Sequence, residues 1–245
     1  MGMLSEAARR FAPDLHSTVY GALERTATAW FHRFYYLASS RTWEDTHWLG
    51  CKIQKFPGDV WVYQELIQAL RPDWIIETGT NCGGSAYFMA SICDLVGHGR
   101  IVTVDLDAKP DLPEHERITY LAGSSTAPDV FECVRALTAG AQTRIVILDS
   151  DHSYEHVTDE LRFYSELVTP GSYLIVEDTN IAGHPVLGGL PRGPYEAVQD
   201  FLANDASFEL DRSREKFMMT FNPGGYLRRA SAARSASRIR PSRAA

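Results

Sequence analysis

Apolar and polar positions change their period twice along the chain. Over residues 5–38 they repeat with a helical period, and Trp30, Phe31, Phe34 and Tyr35 predict one aromatic face on a segment that also carries Arg25, His32 and Arg33. Such a face packs against the protein, covers a substrate, meets another subunit or lies on a membrane; packing is the default. From Arg41 to Gly58 the periodicity is lost among large groups, including Trp43, Trp48, Lys52, Lys55 and Phe56, which predicts a long loop beside the expected site entrance, a candidate for substrate contact with packing as the alternative. Asp59 then stands as the cap of a helix, VWVYQELIQAL, whose Tyr63, Leu66, Ile67 and Leu70 share a face and which Arg71-Pro72-Asp73 ends.

Beyond Trp74 the pattern becomes a regular alternation. Short aliphatic runs at 74–78 (WIIET), 100–105 (RIVTVD), 117–123 (RITYLAG), 144–149 (RIVILD) and 172–178 (SYLIVED) are separated by helical patterns at 86–96, 128–140 and 154–168. Runs of this kind read as strands buried on both faces, and strands alternating with helices predict an α/β fold with a doubly wound, mostly parallel sheet. After a Gly/Pro-rich loop at 180–194 come a last helix, 195–203, and two strand-like runs, SFELDR (207–212) and KFMMTFN (216–222). Only short connections join these runs, which predicts an antiparallel pair at the sheet edge.

With 245 residues, 44% hydrophobic and 22% charged, the chain can form one α/β domain of ordinary soluble composition. No window approaches the roughly 18 uninterrupted apolar residues of a membrane span. The N-terminus lacks the pattern of a secretory signal, and Glu6 stands where a myristoylation motif needs Ser or Thr, so the cytoplasm is expected. The four cysteines, Cys51, Cys82, Cys93 and Cys133, have no zinc spacing and are expected reduced, Cys93 and Cys133 within helix cores. Six arginines fall in the last 18 residues, which hold no acid; the rest carries 18 basic against 31 acidic residues and should repel nucleic acid. The tail from Ala230 has no apolar periodicity and is expected to be disordered.

Candidate chemistry lies where the aliphatic runs break off. RIVIL ends in Asp149 and Asp151, and YLIV in Glu177 and Asp178, with His152 close by. Ligands of open α/β sheets bind at the carboxyl ends of the strands. Three or four acids converging there with no nearby Lys or Arg repel by several kcal/mol unless a cation sits between them, which suggests a metal site. The competing reading makes them helix caps and solvated loop residues.

The ETGTNCGGS stretch after the first run fails the spacing of a dinucleotide fingerprint, and Ser85 replaces the lysine of a P-loop. What remains is an acid, Glu77, two glycine positions and a second acid, Asp105, at the next strand end. Asp105 suits the hydroxyls of a ribose, and Glu77 a ligand with a cationic head. S-adenosylmethionine has a ribose, an ammonium, a sulfonium and no phosphate. A tight turn without a ligand is the alternative.

Five stretches, IIETGTNCGGSA, VTVDLD, LDSDHSYEHV, YLIVEDTNIAGHPV and EKFMMTFNPGGYLRR, together resemble the cephalosporin hydroxylase family, and most closely its rhamnosyl O-methyltransferase members, from about Trp48 to Arg229. The resemblance implies a Rossmann-like class I methyltransferase fold that binds S-adenosyl-L-methionine and Mg²⁺. With the helical period before it and the acid-free arginine-rich stretch after it, the chain divides into an N-terminal helical segment over 1–45, which matches no motif of the family, a methyltransferase domain over 46–229 and a basic tail over 230–245.

Carried over by position, Asp149, Glu177 and Asp178 resemble the metal ligands of related macrolide-sugar O-methyltransferases, and His152 their catalytic base. Glu77, Gly79, Thr80, Gly83, Ser85 and Asp105 resemble the cofactor contacts, with Ser125 beside the adenine; Asp151 has no role in that pattern. All-oxygen ligation suits Mg²⁺ or Mn²⁺.

The implied activity is methylation of a sugar hydroxyl, on a rhamnosyl or similar deoxysugar of a glycolipid or glycosylated natural product, with a small glycoside as partner and a homo-oligomer as assembly. The alternatives are a component of β-lactam hydroxylation or methoxylation, and a non-catalytic cofactor-binding partner. Topology places His184 and the Gly183–Gly193 loop, with Tyr63, Trp48 and Lys55, near the acceptor.

Overall fold

A computed structural model of the chain describes residues 13–107 and 109–231, with side chains in the first helix from residue 20 onward. The expectations of a helix over residues 5–12 and of a disordered tail beyond 231 lie outside the described residues. Among those described, helices α1 (Pro13–Leu37), α2 (Pro57–Leu70), α3 (Gly84–Val96), α4 (Pro128–Leu137), α5 (Tyr154–Tyr164) and α6 (Pro194–Asn204) accompany nine strands. A small antiparallel pair, β1 (His47–Trp48) and β2 (Cys51–Lys52), precedes the main sheet of β3 (Trp74–Thr78), β4 (Arg100–Asp105), β5 (Ile118–Ala122), β6 (Arg144–Leu148), β7 (Tyr173–Val176), β8 (Phe208–Leu210) and β9 (Tyr226–Arg229).

The main sheet has the order β5-β4-β3-β6-β7-β9-β8. The first five strands are parallel, whereas β9 runs antiparallel to both β7 and β8. The aliphatic runs fix this arrangement, because successive side chains point to opposite faces and both faces must be covered. Ile76, Val102, Val146, Leu148 and Leu174 pack under α4, α5 and α6, while Ile75, Ile101, Ile145, Ile147 and Ile175 pack under α2 and α3. Strand order reverses between β3 and β6, the switch point where such sheets bind ligands, and β6 lies directly beside β7. The acids that follow β6 and β7 are thereby neighbours.

Three local expectations are corrected. The edge pair is antiparallel as expected, but its second strand is Tyr226–Arg229 rather than KFMMTFN. Within 216–222 the backbone leaves the extended region at Phe217 and Met218, whose φ values are 63° and 66°, so the run forms a loop. The irregular stretch before α2 contains the β1–β2 hairpin. Asp59 does not cap α2: Phe56 holds the cap position, and Asp59 is a buried residue of the first turn. Its carboxylate accepts hydrogen bonds from Thr220 Oγ1, the Phe221 amide (2.9 Å) and the Tyr226 hydroxyl (3.0 Å).

The aromatic face of α1 is also divided differently. Trp30, Phe31 and Phe34 are more than half exposed, while His32, Tyr35 and Tyr36 turn inward onto Phe221. Cys93 is buried in α3, but Cys133 is exposed on α4.

Candidate active site

The carboxyl ends of β3, β4, β6 and β7 open into one cleft of about 720 Å³. Gly79, Thr80, Ser85, Asp105, Ser125, Asp149, His152 and Asp178 all line it, so most of the expected site converges. Glu77 lies fully buried beneath, and Gly83 caps α3 in a left-handed conformation. Gly79 is demanded by space: at φ +88°, a Cβ there would lie 1.9 Å from the Asp149 carbonyl oxygen. The turn after β3 thus lies against the chain leaving β6, which binds the two halves of the cleft together.

Each expected cofactor contact is held in place. Thr103 Oγ1 donates to Glu77 Oε2 at 2.6 Å, whereas the buried Oε1 has no hydrogen-bond partner. Burial pushes the Glu77 carboxyl up to about 7, against the Lys55 charge and the Ser85 and Thr103 hydroxyls. Thr80 shares a 2.8 Å hydrogen bond with Thr103. Asp105 accepts from the Asn81 amide (2.8 Å) and from Lys109 Nζ (3.1 Å), and these partners hold its pKa below the usual range despite partial burial. Ser125 donates to the buried Glu160 at 2.5 Å, and Ser150 donates to the same oxygen at 2.7 Å.

At the opposite end stand the acids. Asp149, His152 and Asp178 each present one ligand-type atom, all within 4.8 Å of one another. His152 Nε2 lies 3.0 Å from Asp178 Oδ2 and 4.0 Å from Asp149 Oδ1. Burial alone would lower the imidazole pKa, but the charges of Asp178, Asp149 and Glu177 raise it to about 9, and His152 in turn holds Asp178 below its ordinary value. Asp151 stands apart: its Oδ1 accepts from the Ser153 amide at 2.7 Å, a local turn just ahead of α5, whose cap position Ser153 holds.

Lys55 overturns the premise that no Lys or Arg approaches these acids. Its buried ammonium donates to Asp149 Oδ2 and, at 2.6 Å, to Glu177 Oε2. Burial would lower its pKa, yet Asp149 and Glu177 raise it above the ordinary value and keep it charged. Glu177 also accepts from the Tyr63 hydroxyl at 2.7 Å, so its carboxylate faces Lys55 and α2. Burial pushes Asp149 up to about 6 and Glu177 up to about 7, the latter helped by the Asp149 charge.

The residues assigned to an acceptor pocket are redistributed. Lys55 and Tyr63 belong to the acid cluster. Trp48 packs edge-on against Phe88 and donates to Ser91 Oγ at 3.1 Å, away from the cleft. His184 stacks on Tyr195 and pairs with Glu196 at 2.6 Å. Of the loop, Leu190, Pro191, Arg192 and Gly193 line a second cavity of about 450 Å³ that also touches His152. Tyr36, Gln54, Asn81 and His156 also line the cleft without having been expected there, while Trp43 lines it as a residue of the loop expected to be a candidate for substrate contact. A break in periodicity with large aromatic residues was the one signal for Trp43; Tyr36 carried none beyond its helix face.

The parallel sheet with one antiparallel strand inserted near its edge, and the glycine turn after its first strand, define a Rossmann-like methyltransferase fold. The chain belongs to the Rhamnosyl O-methyltransferase/CmcI family, whose sequence profile matches residues 40–230. It is 39% identical over 204 residues to the rhamnosyl O-methyltransferase of Mycobacterium leprae (strain TN), covering 80% of this chain and 88% of that one. The rhamnosyl O-methyltransferase of Mycobacterium tuberculosis (strain CDC 1551 / Oshkosh) is 38% identical over 205 residues, covering 80% of this chain and 82% of its own. Among solved structures, CmcI with Mg and SAM superposes with a TM-score of 0.62 at 21% identity, covering 77% of this chain and 78% of that chain. MycE of the mycinamycin pathway, with Mg, SAH and mycinamycin VI, gives 0.51 at 19% identity, covering 69% of this chain and 48% of that one. At such identities these two establish the fold.

Proposed function

We propose that the protein transfers the methyl group of S-adenosylmethionine to a sugar hydroxyl, on a rhamnosyl or similar deoxysugar of a glycolipid or glycosylated natural product, with Mg²⁺ at the acid end of the cleft. The observation that carries this reading is that the glycine-turn residues and the Asp149, His152 and Asp178 cluster line one continuous cleft, so a methyl donor and an activated hydroxyl meet there. The curated relatives named rhamnosyl O-methyltransferase support the sugar.

The residues present fit both groups. The buried, unpartnered Glu77 Oε1 suits a cationic ligand head, and Asp105 offers carboxylate oxygens in the cleft to a ribose. Asp149 and Asp178 supply hard oxygen ligands for Mg²⁺ in the cluster that His152 completes, whereas Glu177, expected as a third ligand, stands outside it with Oε1 held by Tyr63 and Oε2 by Lys55, and would join only by releasing Lys55. Bound Mg²⁺ supplies Lewis acidity, which a sugar hydroxyl needs because it is far too weak an acid for an unaided imidazole. The protein positions and takes the proton. His152 Nε2 stands at the cluster, 3.0 Å from Asp178 Oδ2, as the group that would serve as general base, taking the hydroxyl proton in its neutral form.

Among the described residues no helix is long and apolar enough to cross a membrane. The free thiols of all four cysteines suit a reducing cytoplasm, and the exposed Trp30, Phe31 and Phe34 suit assembly into a homo-oligomer.

The test combines calorimetry with S-adenosylhomocysteine and turnover on rhamnosides. His152→Ala is expected to lose roughly 100-fold or more in rate while keeping cofactor affinity, and chelation of Mg²⁺ to abolish turnover. A His152→Ala enzyme with the parent rate would remove the assigned base, and turnover that survives EDTA would remove the metal.

A further inference from the structure

The cleft has a cofactor end, at Gly79, Asp105 and Ser125, and an acid end, at Asp149, His152 and Asp178; its two aromatic lining residues are Tyr36 and Trp43. Both come from the N-terminal segment, and Tyr36 lies before residue 40, where the family match begins. We propose that Tyr36 and Trp43 form the platform for the acceptor, on which a sugar ring lays its C–H face while its hydroxyls reach Asp149 and Asp178. This inference rests on the sugar O-methylation reading and names the subsite that selects the ring.

The pair is built as a rigid surface. The two rings stack with centroids 5.3 Å apart and planes 28° from parallel, and Trp43 Nε1 donates to the Tyr36 carbonyl at 3.1 Å. Thr42 Oγ1 donates to the Tyr35 carbonyl at 2.7 Å, which fixes the turn between them. Phe221 backs both rings at 5.5 and 6.0 Å, and itself stacks on the buried His32 at 5.4 Å. Both residues are nevertheless half-buried and remain on the cleft wall.

Position and chemistry select a sugar. Tyr36 is close enough to Asp178 for that charge, added to burial, to push its phenol up to about 12, so it stays a neutral donor beside the acids. Among the described residues its hydroxyl makes no protein hydrogen bond, leaving it available to a ligand oxygen. The negative face of an aromatic ring attracts the polarised C–H bonds of a pyranose, and a 6-deoxysugar adds an apolar methyl group. Asp149 and Asp178 line this cleft but not the 450 Å³ cavity beyond His152, so a ring whose hydroxyls reach the acids lies in the cleft that Tyr36 and Trp43 wall. The platform thus lies where the acceptor ring must sit.

The experiment measures binding of methyl α-L-rhamnopyranoside, by saturation-transfer NMR and titration, to the parent, Trp43→Ala, Trp43→Phe and Tyr36→Leu proteins saturated with S-adenosylhomocysteine and Mg²⁺. Trp43→Ala and Tyr36→Leu are expected to weaken the rhamnoside about tenfold, Trp43→Phe about threefold or less, with cofactor affinity within about twofold throughout. Equal rhamnoside binding by parent, Trp43→Ala and Tyr36→Leu would overturn the platform while leaving the sugar reading standing. A parent that binds the cofactor but no rhamnoside would overturn the sugar reading and the platform with it. Should Trp43→Ala lose the cofactor as well, its loss is one of folding, and Tyr36→Leu against Trp43→Phe decides by the same criterion.

Discussion

Lys55 is a fixed cation inside a cluster of acids. Held between Asp149 and Glu177 and almost wholly buried, it neutralises charge that the fold would otherwise have to bury unpaired. Removing one partner of such a group typically costs about 3–5 kcal/mol. Lys55→Met should therefore lower the melting temperature in metal-free buffer, and Mg²⁺ should restore much more stability to the variant than to the parent, because the divalent ion no longer competes with the ammonium. Thermal unfolding with and without Mg²⁺ checks this; an equal loss in both buffers would mean that Lys55 and the ion do not share the acids. The acids themselves were legible in the sequence, since a carboxylate ending a buried strand is an anomaly that local pattern exposes. Lys55 as their partner was not. It stands 94 residues from Asp149 and 122 from Glu177, a pairing that only the packing of α2 beneath the sheet brings about.

At the scale of elements, β3 and β4 begin and end where their aliphatic runs do, because a strand buried on both faces is marked continuously in sequence. KFMMTFN is equally apolar and misleads for a physical reason: its residues 219–222 are drawn inward by Asp59 and by the aromatic cluster of α1, not by a neighbouring strand. Among its described residues, helix α1 is held through His32, Tyr35 and Tyr36 on Phe221 and through polar contacts to the 180–185 loop. His32 stacks on Phe221 and meets Asn180 at 2.9 Å, and Arg33 donates to the Pro185 carbonyl at 3.0 Å.

Burial, with the Arg33 charge, lowers the His32 pKa to about 4 from 6.5. A base whose pKa is depressed on folding adds stability that is fully present above its unfolded value and is lost as pH falls toward its folded value. Acidification from pH 7 to pH 4.5 should thus weaken docking of α1 by about 2 kcal/mol after allowance for solvent screening. Hydrogen exchange of the α1 amides, corrected for intrinsic rates, should show the weakening in the parent and not in His32→Phe, which keeps the stacking face. Protection that falls alike in both would put the cause elsewhere. Since Tyr36 is on this helix, the same change should loosen the wall of the cleft.

Across the whole molecule, Asp59 ties the start of α2 to the C-terminal part of the sheet. It sits in the first turn of α2, beneath the sheet, and its carboxylate holds Thr220, the Phe221 amide and Tyr226, hence both the 216–222 loop and the antiparallel strand β9 between β7 and β8. Burial pushes this carboxyl up to about 7 from 3.8, against the hydrogen bonds of Thr220 and Phe221. An acid whose pKa is raised on folding adds stability that is fully present below its unfolded pKa and is lost as pH rises through the folded one. Its effect therefore opposes that of His32: between about pH 4 and 7 the folded state holds a proton that the unfolded chain has released, and stability declines on the order of 3 kcal/mol over the window. Glu77, raised to about 7 by burial, acts in the same direction. Asp59→Asn separates these contributions. The amide cannot ionise, so the variant should pay a constant cost for its poorer hydrogen bonds but lose the Asp59 part of the slope. Urea unfolding of parent and variant at pH 5, 6, 7 and 8 should give curves that converge as pH rises. Curves that run parallel would show that Asp59 is already ionised in the folded protein, and that its three donors outweigh burial.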